Sequence, residues 1–127
     1  MVQSGTKIRL LLVDDQAIIR KSLFYQLQGY PNLEVVMEAS DGQEAVEIAR
    51  KLNPDVILMD VSMPKLDGIG ATEIIRSELP QIRVIGLSVY DDPGTVSAML
   101  NAGAAAFLVK GSPSEALFDA ICGSKQT

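Results

Sequence analysis

The chain has 127 residues, 47% of them apolar, which is enough for one domain with a packed core. Its formal net charge is −5, with no long run of either sign, so these residues lack the basic patch that gripping nucleic acid or an anionic membrane requires. There is no His and only one Cys, Cys122, which excludes imidazole chemistry, an internal disulfide and a Cys-based zinc site.

Residues 1–6 are short and polar and do not read as a signal peptide; they are expected to form a disordered N-terminal segment. No apolar run reaches the roughly 18 residues that span a bilayer, so a cytoplasmic location without membrane contact is expected. Residues 7–13 (KIRLLLV) predict a buried strand. Ile19, Leu23 and Leu27 then recur at helical spacing, up to Gly29. Residues 33–38 (LEVVME) are the second strand. Ala45, Ile48, Ala49 and Leu52 fall on one helix face, with Asp41 and Glu44 at capping-box spacing and Pro54 beyond the end. Residues 55–60 (DVILMD) are the third strand, followed by a helical stripe of Ala71, Ile74, Ile75 and Leu79 that stops at Pro80. Residues 82–87 (IRVIGL) are the fourth strand. Asp92-Pro93 supplies a cap and a proline at the first helical position, before Val96, Met99, Leu100 and Gly103. Residues 106–109 are the fifth strand. Ser112-Pro113-Ser114-Glu115 combines a cap, a first-position proline and a capping box for a last helix carrying Leu117, Ala120 and Ile121. Residues 123–127 are expected to be a frayed tail or the start of a linker. Five apolar strands separated by single helices imply an α/β domain with a parallel sheet covered on both faces.

The polar exceptions carry the function. Asp14 and Asp15 follow the first strand, Asp60 closes the third, Ser88 follows the fourth and Lys110 follows the fifth. In an open parallel sheet this carboxyl edge is where ligands bind. Each residue has an ordinary reading: Asp15 as a helix cap, Lys110 as a solvated lysine, Ser88 as nothing in particular. Together, three carboxylates at one rim repel each other unless a cation joins them. An all-oxygen donor set favours a hard ion, Mg²⁺, which is typically held by one or two carboxylates plus a phosphate. Asp60 then stands as a nucleophile that takes a phosphoryl group, with Lys110 and the metal offsetting charge on its oxygens.

LLVDD ending at Asp15, ILMDVSMPKLDG from Ile57 to Gly68, IGLS ending at Ser88 and FLVKG from Phe107 to Gly111 resemble the receiver domain of bacterial two-component response regulators. The resemblance covers residues 7–122 and implies a flavodoxin-like (βα)5 doubly wound sheet of five parallel strands in the order 2-1-3-4-5. It implies that Asp60 is the phosphoacceptor, with a sensor histidine kinase as donor. Asp14, Asp15, Asp60 and the Ser62 backbone carbonyl would hold Mg²⁺, and Ser88 and Lys110 would contact the phosphoryl group. Ser88 and Phe107 would form the switch, Pro64 and Gly68 would shape the loop after Asp60, and Ser62 and Tyr90 would flank the path of attacking water. Two departures stand out. Ser88 replaces the commoner Thr, and Phe107 lacks the hydroxyl of the commoner Tyr, so an aromatic switch rests on packing alone. The stretches around residues 31–47 and 110–115 look most like receivers joined to a helix-turn-helix output domain of the LuxR/FixJ type. DNA would then be reached only through a domain outside this chain, and a homodimer would form through the last two helices and strand five. A stand-alone receiver acting on a protein partner is the alternative. A Mg²⁺-dependent aspartyl-phosphate hydrolase is disfavoured, because no second carboxylate lies two residues after Asp60. As a receiver the chain would catalyse only its own phosphorylation and dephosphorylation and would not be a turnover enzyme.

Overall fold

The computed structural model describes residues 7–123. The expected disordered segment 1–6 and residues 124–127 of the expected tail lie outside the described residues. Strands and helices alternate along the chain. They run β1 (Ile8–Val13), α1 (Ala17–Leu27), β2 (Leu33–Ala39), α2 (Gly42–Leu52), β3 (Val56–Asp60) and α3 (Gly68–Glu78), then β4 (Arg83–Ser88), α4 (Pro93–Ala102), β5 (Ala106–Val109) and α5 (Ser114–Cys122). The strands form one parallel sheet in the order β2-β1-β3-β4-β5, as the flavodoxin-like expectation required. Among the described residues no helix is long and apolar enough to cross a membrane.

The apolar runs of β1 and β3 follow from burial on both faces. Leu11, Val13, Ile57 and Met59 point towards Ala45, Ala49, Ala71, Ile75 and Met99 of α2, α3 and α4. Leu10, Leu12 and Leu58 point the other way, towards Leu27, Leu117 and Ile121 of α1 and α5. Successive strand residues face opposite sides, so an uninterrupted apolar strand needs helices on both. The order of the strands reverses between β1 and β3. There Val13 is paired with Met59, which brings the ends of the two central strands side by side.

Local signals set the helix starts with two exceptions, α5 and α1. Asp41 Oδ1 accepts from the Glu44 amide at 2.8 Å, while Glu44 Oε1 reaches back to the Ser40 amide at 2.7 Å. Asp92 accepts from the Thr95 amide at 3.1 Å, ahead of Pro93. α5 has no side-chain cap: Ser112 Oγ donates instead to the Val109 carbonyl at 2.6 Å, closing the turn after β5. Asp15 does not cap α1 either; that helix starts after Gln16 without a side-chain cap, and Asp15 is exposed.

The loop after β3 is clamped by a glycine that carries no motif of its own. The Gly42 amide donates to the Leu66 carbonyl at 3.0 Å, and a Cβ at Gly42 would stand 2.1 Å from that oxygen. A side chain there forces two backbones apart, and backbone yields less readily than a flexible side chain. We expect Gly42→Ala to lose about 1–3 kcal/mol in urea denaturation, with the loop between Asp60 and Gly68 displaced.

Candidate functional site

Three charged side chains meet at the carboxyl edge of the sheet. The Lys110 ammonium, delivered by the end of β5, lies 2.6 Å from Asp14 Oδ2 and 3.0 Å from Asp60 Oδ1. Asp14 is fully buried and Asp60 is 3% exposed. Asp14 Oδ1 accepts from the Gln16 amide at 2.9 Å. The buried Oδ2 has the Lys110 ammonium as its one polar partner among the described residues, so it keeps acceptor capacity facing the cluster. Asp15, exposed at the mouth, completes a group in which one oxygen from each of Asp14, Asp15 and Asp60 lies within 4.8 Å of the others.

The electrostatics follow from this crowding. Burial pushes the Asp60 carboxyl above its ordinary range, and the neighbouring Asp14 charge adds to that; the hydrogen bond from Lys110 opposes both without cancelling them. Burial also works against the charge on Lys110, but the hydrogen bonds and charges of Asp14 and Asp60 outweigh it and hold its pKa above the ordinary lysine value. Two carboxylates therefore share one ammonium, with a third carboxylate at the rim. A buried, under-coordinated oxygen in an all-carboxylate set fits a hard divalent cation better than a soft one.

The other expected residues sit around this centre. The Ser62 amide is 3.4 Å from Asp60 Oδ1, and its side chain is exposed. Ser88 turns its hydroxyl to its own loop, where Oγ accepts from the Tyr90 amide at 3.2 Å. Tyr90 is 74% exposed. Phe107 is half-buried against the core on the α4 side, close to Gly86 and Met99. Gly68 lies directly under the site; a Cβ there would be 2.1 Å from the Asp60 carbonyl oxygen. Three contributors had no sequence signal: the Gln16 amide, the Gly42 clamp and Arg20, whose Nη1 donates to the Asp14 carbonyl at 2.6 Å. Arg20 stands on a helix that gives no reason to single it out.

Residues 10–122 match the family described as the response regulator receiver domain. The transcriptional regulatory protein LiaR of Bacillus subtilis is 44% identical over 90% of this chain and 54% of its own length. DegU of Brevibacillus brevis, also a transcriptional regulatory protein, is 39% identical over 91% of this chain and 49% of its own. The chain thus spans about half the length of the curated relatives it matches. The solved signal receiver domain of the response regulator NarL from Mycobacterium tuberculosis superposes with a TM-score of 0.87 at 34% identity, covering 94% of this chain and all of that one.

The raised pKa of Asp60 has a sign that can be measured. A carboxyl whose folded pKa exceeds its unfolded value stabilises the fold when protonated, and that contribution is lost as pH rises through the folded value. At pH 7 the ionised Asp60 therefore costs stability. In metal-free buffer, Asp60→Asn should melt at a higher temperature than wild type at pH 7, and the gap should narrow on acidification.

Proposed function

The chain belongs to the response regulator receiver domain family, and on that premise we propose that it is a phosphorylation-controlled switch whose phosphoacceptor is Asp60. The observation that carries this reading is the buried contact of Lys110 with both Asp14 and Asp60 at the sheet edge, beside the open mouth at Asp15.

The donor in this reading is a phosphohistidine on a sensor histidine kinase; this chain has no His and cannot supply one itself. A carboxylate oxygen of Asp60 attacks phosphorus; the new P–O bond forms as the P–N bond breaks, and the donor imidazole leaves with the electron pair. Lys110 and the Ser62 amide both meet Asp60 at Oδ1, so Oδ2 is the attacking atom. The Lys110 ammonium offsets charge that builds on the transferred oxygens. Asp14, Asp15, Asp60 and the Ser62 carbonyl would hold Mg²⁺, which when bound supplies further charge neutralisation at the phosphoryl group. Asp14, kept in place by the Gln16 amide, orients that cluster.

The product carries about two negative charges at neutral pH. Ser88 reads them by moving its hydroxyl from the Tyr90 amide to a phosphoryl oxygen, which releases the loop before α4. Phe107 follows by repacking beside Met99, with no hydroxyl to lock it. Tyr90, bulky and exposed, stands with Ser62 on the path of the water that later attacks phosphorus and restores the carboxylate. The domain in this reading catalyses only its own phosphorylation and dephosphorylation. Its output is transcriptional, through a DNA-binding domain outside this chain, in the cytoplasm; α4, β5 and α5 form the homodimer surface. The named function of LiaR and DegU supports that output.

Intact mass after incubation with Mg²⁺ and acetyl phosphate should show a phosphate-sized gain that is absent without Mg²⁺ and absent in Asp60→Ala. Gain persisting in that variant would remove Asp60 as acceptor. Lys110→Ala should slow transfer by about 100-fold. Tyr90→Ala should shorten the life of the acyl phosphate, followed by loss of the added mass; an unchanged lifetime would take Tyr90 off the water path.

A further inference from the structure

The turn that carries Asp14 and Asp15 is short, since β1 ends at Val13 and α1 begins at Ala17. α1 opens without a side-chain cap and without an acidic residue in its first turn, so its own sequence does little to fix where it starts. The turn is held by Arg20, one turn into the helix. Nη1 donates to the Asp14 carbonyl at 2.6 Å, and Nε donates to Glu38 Oε1 of β2 at 2.8 Å. The Arg20 side chain is only 18% exposed and its contact with the Asp14 carbonyl is partly sheltered from water, while Glu38 stays at the surface. A guanidinium is a rigid planar fork and can serve two acceptors on different elements at once; an ammonium on a flexible stem is not pre-organised to do so.

We propose that Arg20 is a positioning residue for the divalent-cation site. Anchored on Glu38, it pulls the Asp14 carbonyl towards β2 and holds the turn in the form in which the Asp14 and Asp15 carboxylates both approach Asp60. This rests on the reading of Asp14, Asp15 and Asp60 as a cation site. Arg20 touches neither the cation nor the phosphoryl group. Its charge by itself works the other way: a positive group close to the cluster repels a divalent cation, so charge alone makes removal of Arg20 tighten binding. Orientation makes removal weaken it. The two effects differ in sign, which separates them.

The test uses Mn²⁺ as the probe, with free Mn²⁺ read by electron paramagnetic resonance during titration and the thermal midpoint recorded in parallel. Arg20→Lys keeps the charge and loses the fork; it should weaken Mn²⁺ binding about tenfold. Glu38→Ala, which removes the anchor but leaves the Asp14 contact, should weaken it less. Arg50→Ala removes an ion pair with Glu78 between α2 and α3. It should leave Mn²⁺ binding at the wild-type value even where its midpoint falls as far as that of Arg20→Lys. Wild-type affinity in Arg20→Lys, or tighter binding in Arg20→Ala, overturns the positioning role and leaves the cation site standing. If wild type itself holds no Mn²⁺, the cation-site reading falls and takes this proposal with it.

Discussion

Two buried carboxylates and one largely buried ammonium, Asp14 and Asp60 around Lys110, set the terms for this domain. Removing such charges from water costs several kcal/mol each, and mutual attraction offsets that only where geometry is close. Here the attraction is one ammonium short of balance. The imbalance is what makes the site receptive: it favours a further cation, and it keeps Asp60 from settling into a fully satisfied ion pair. A core designed only for stability would replace all three with apolar side chains.

Holding that arrangement needs a rigid frame. Asp14 and Asp60 stand at the ends of two interior strands, β1 and β3, that are themselves buried on both faces, so neither carboxylate can retreat into solvent without moving the sheet. The loop after Asp60 is gripped from two sides by close backbone approach, under Gly68 and over Gly42. The turn after β1 is gripped by the Gln16 amide and by Arg20. Lys110 arrives from β5 with the turn behind it closed by Ser112. The side facing β4 is less constrained. Ser88 holds one hydrogen bond to its own loop, Val89 and Tyr90 are exposed, and Phe107 is half-buried. A switch needs this asymmetry, because a change of charge at a rigid centre must find one neighbour with a second arrangement close in free energy.

Much of this was legible in the chain because it is local. Strands show as short apolar runs, helices as stripes at helical spacing, and their starts as Asp41 and Asp92 ahead of suitable partners. The errors are also local competitions that the sequence leaves undecided. Ser112 can cap a helix or close a turn, and it closes the turn; Glu44 can return to Asp41 or to Ser40, and it takes Ser40. Gly42 and Arg20 were invisible for a different reason. Each acts on a segment distant in sequence, Gly42 on Leu66 and Arg20 on Glu38, and no pattern within a helix reports a contact outside it.

By itself the sequence determined the alternation of strands and helices and the kinds of residue that end each strand: acid after the first and third, hydroxyl after the fourth, amine after the fifth. These depend on periodicity and on neighbours a few residues apart. Only the tertiary structure decided that Lys110 touches Asp14 and Asp60 together, that Asp15 stays at the mouth, and that the Ser88 hydroxyl is spent on the Tyr90 amide. Those contacts depend on strand order, on the pairing of Val13 with Met59, and on the path of each loop beyond its strand. Assembly of the sheet fixes them across all five strands at once.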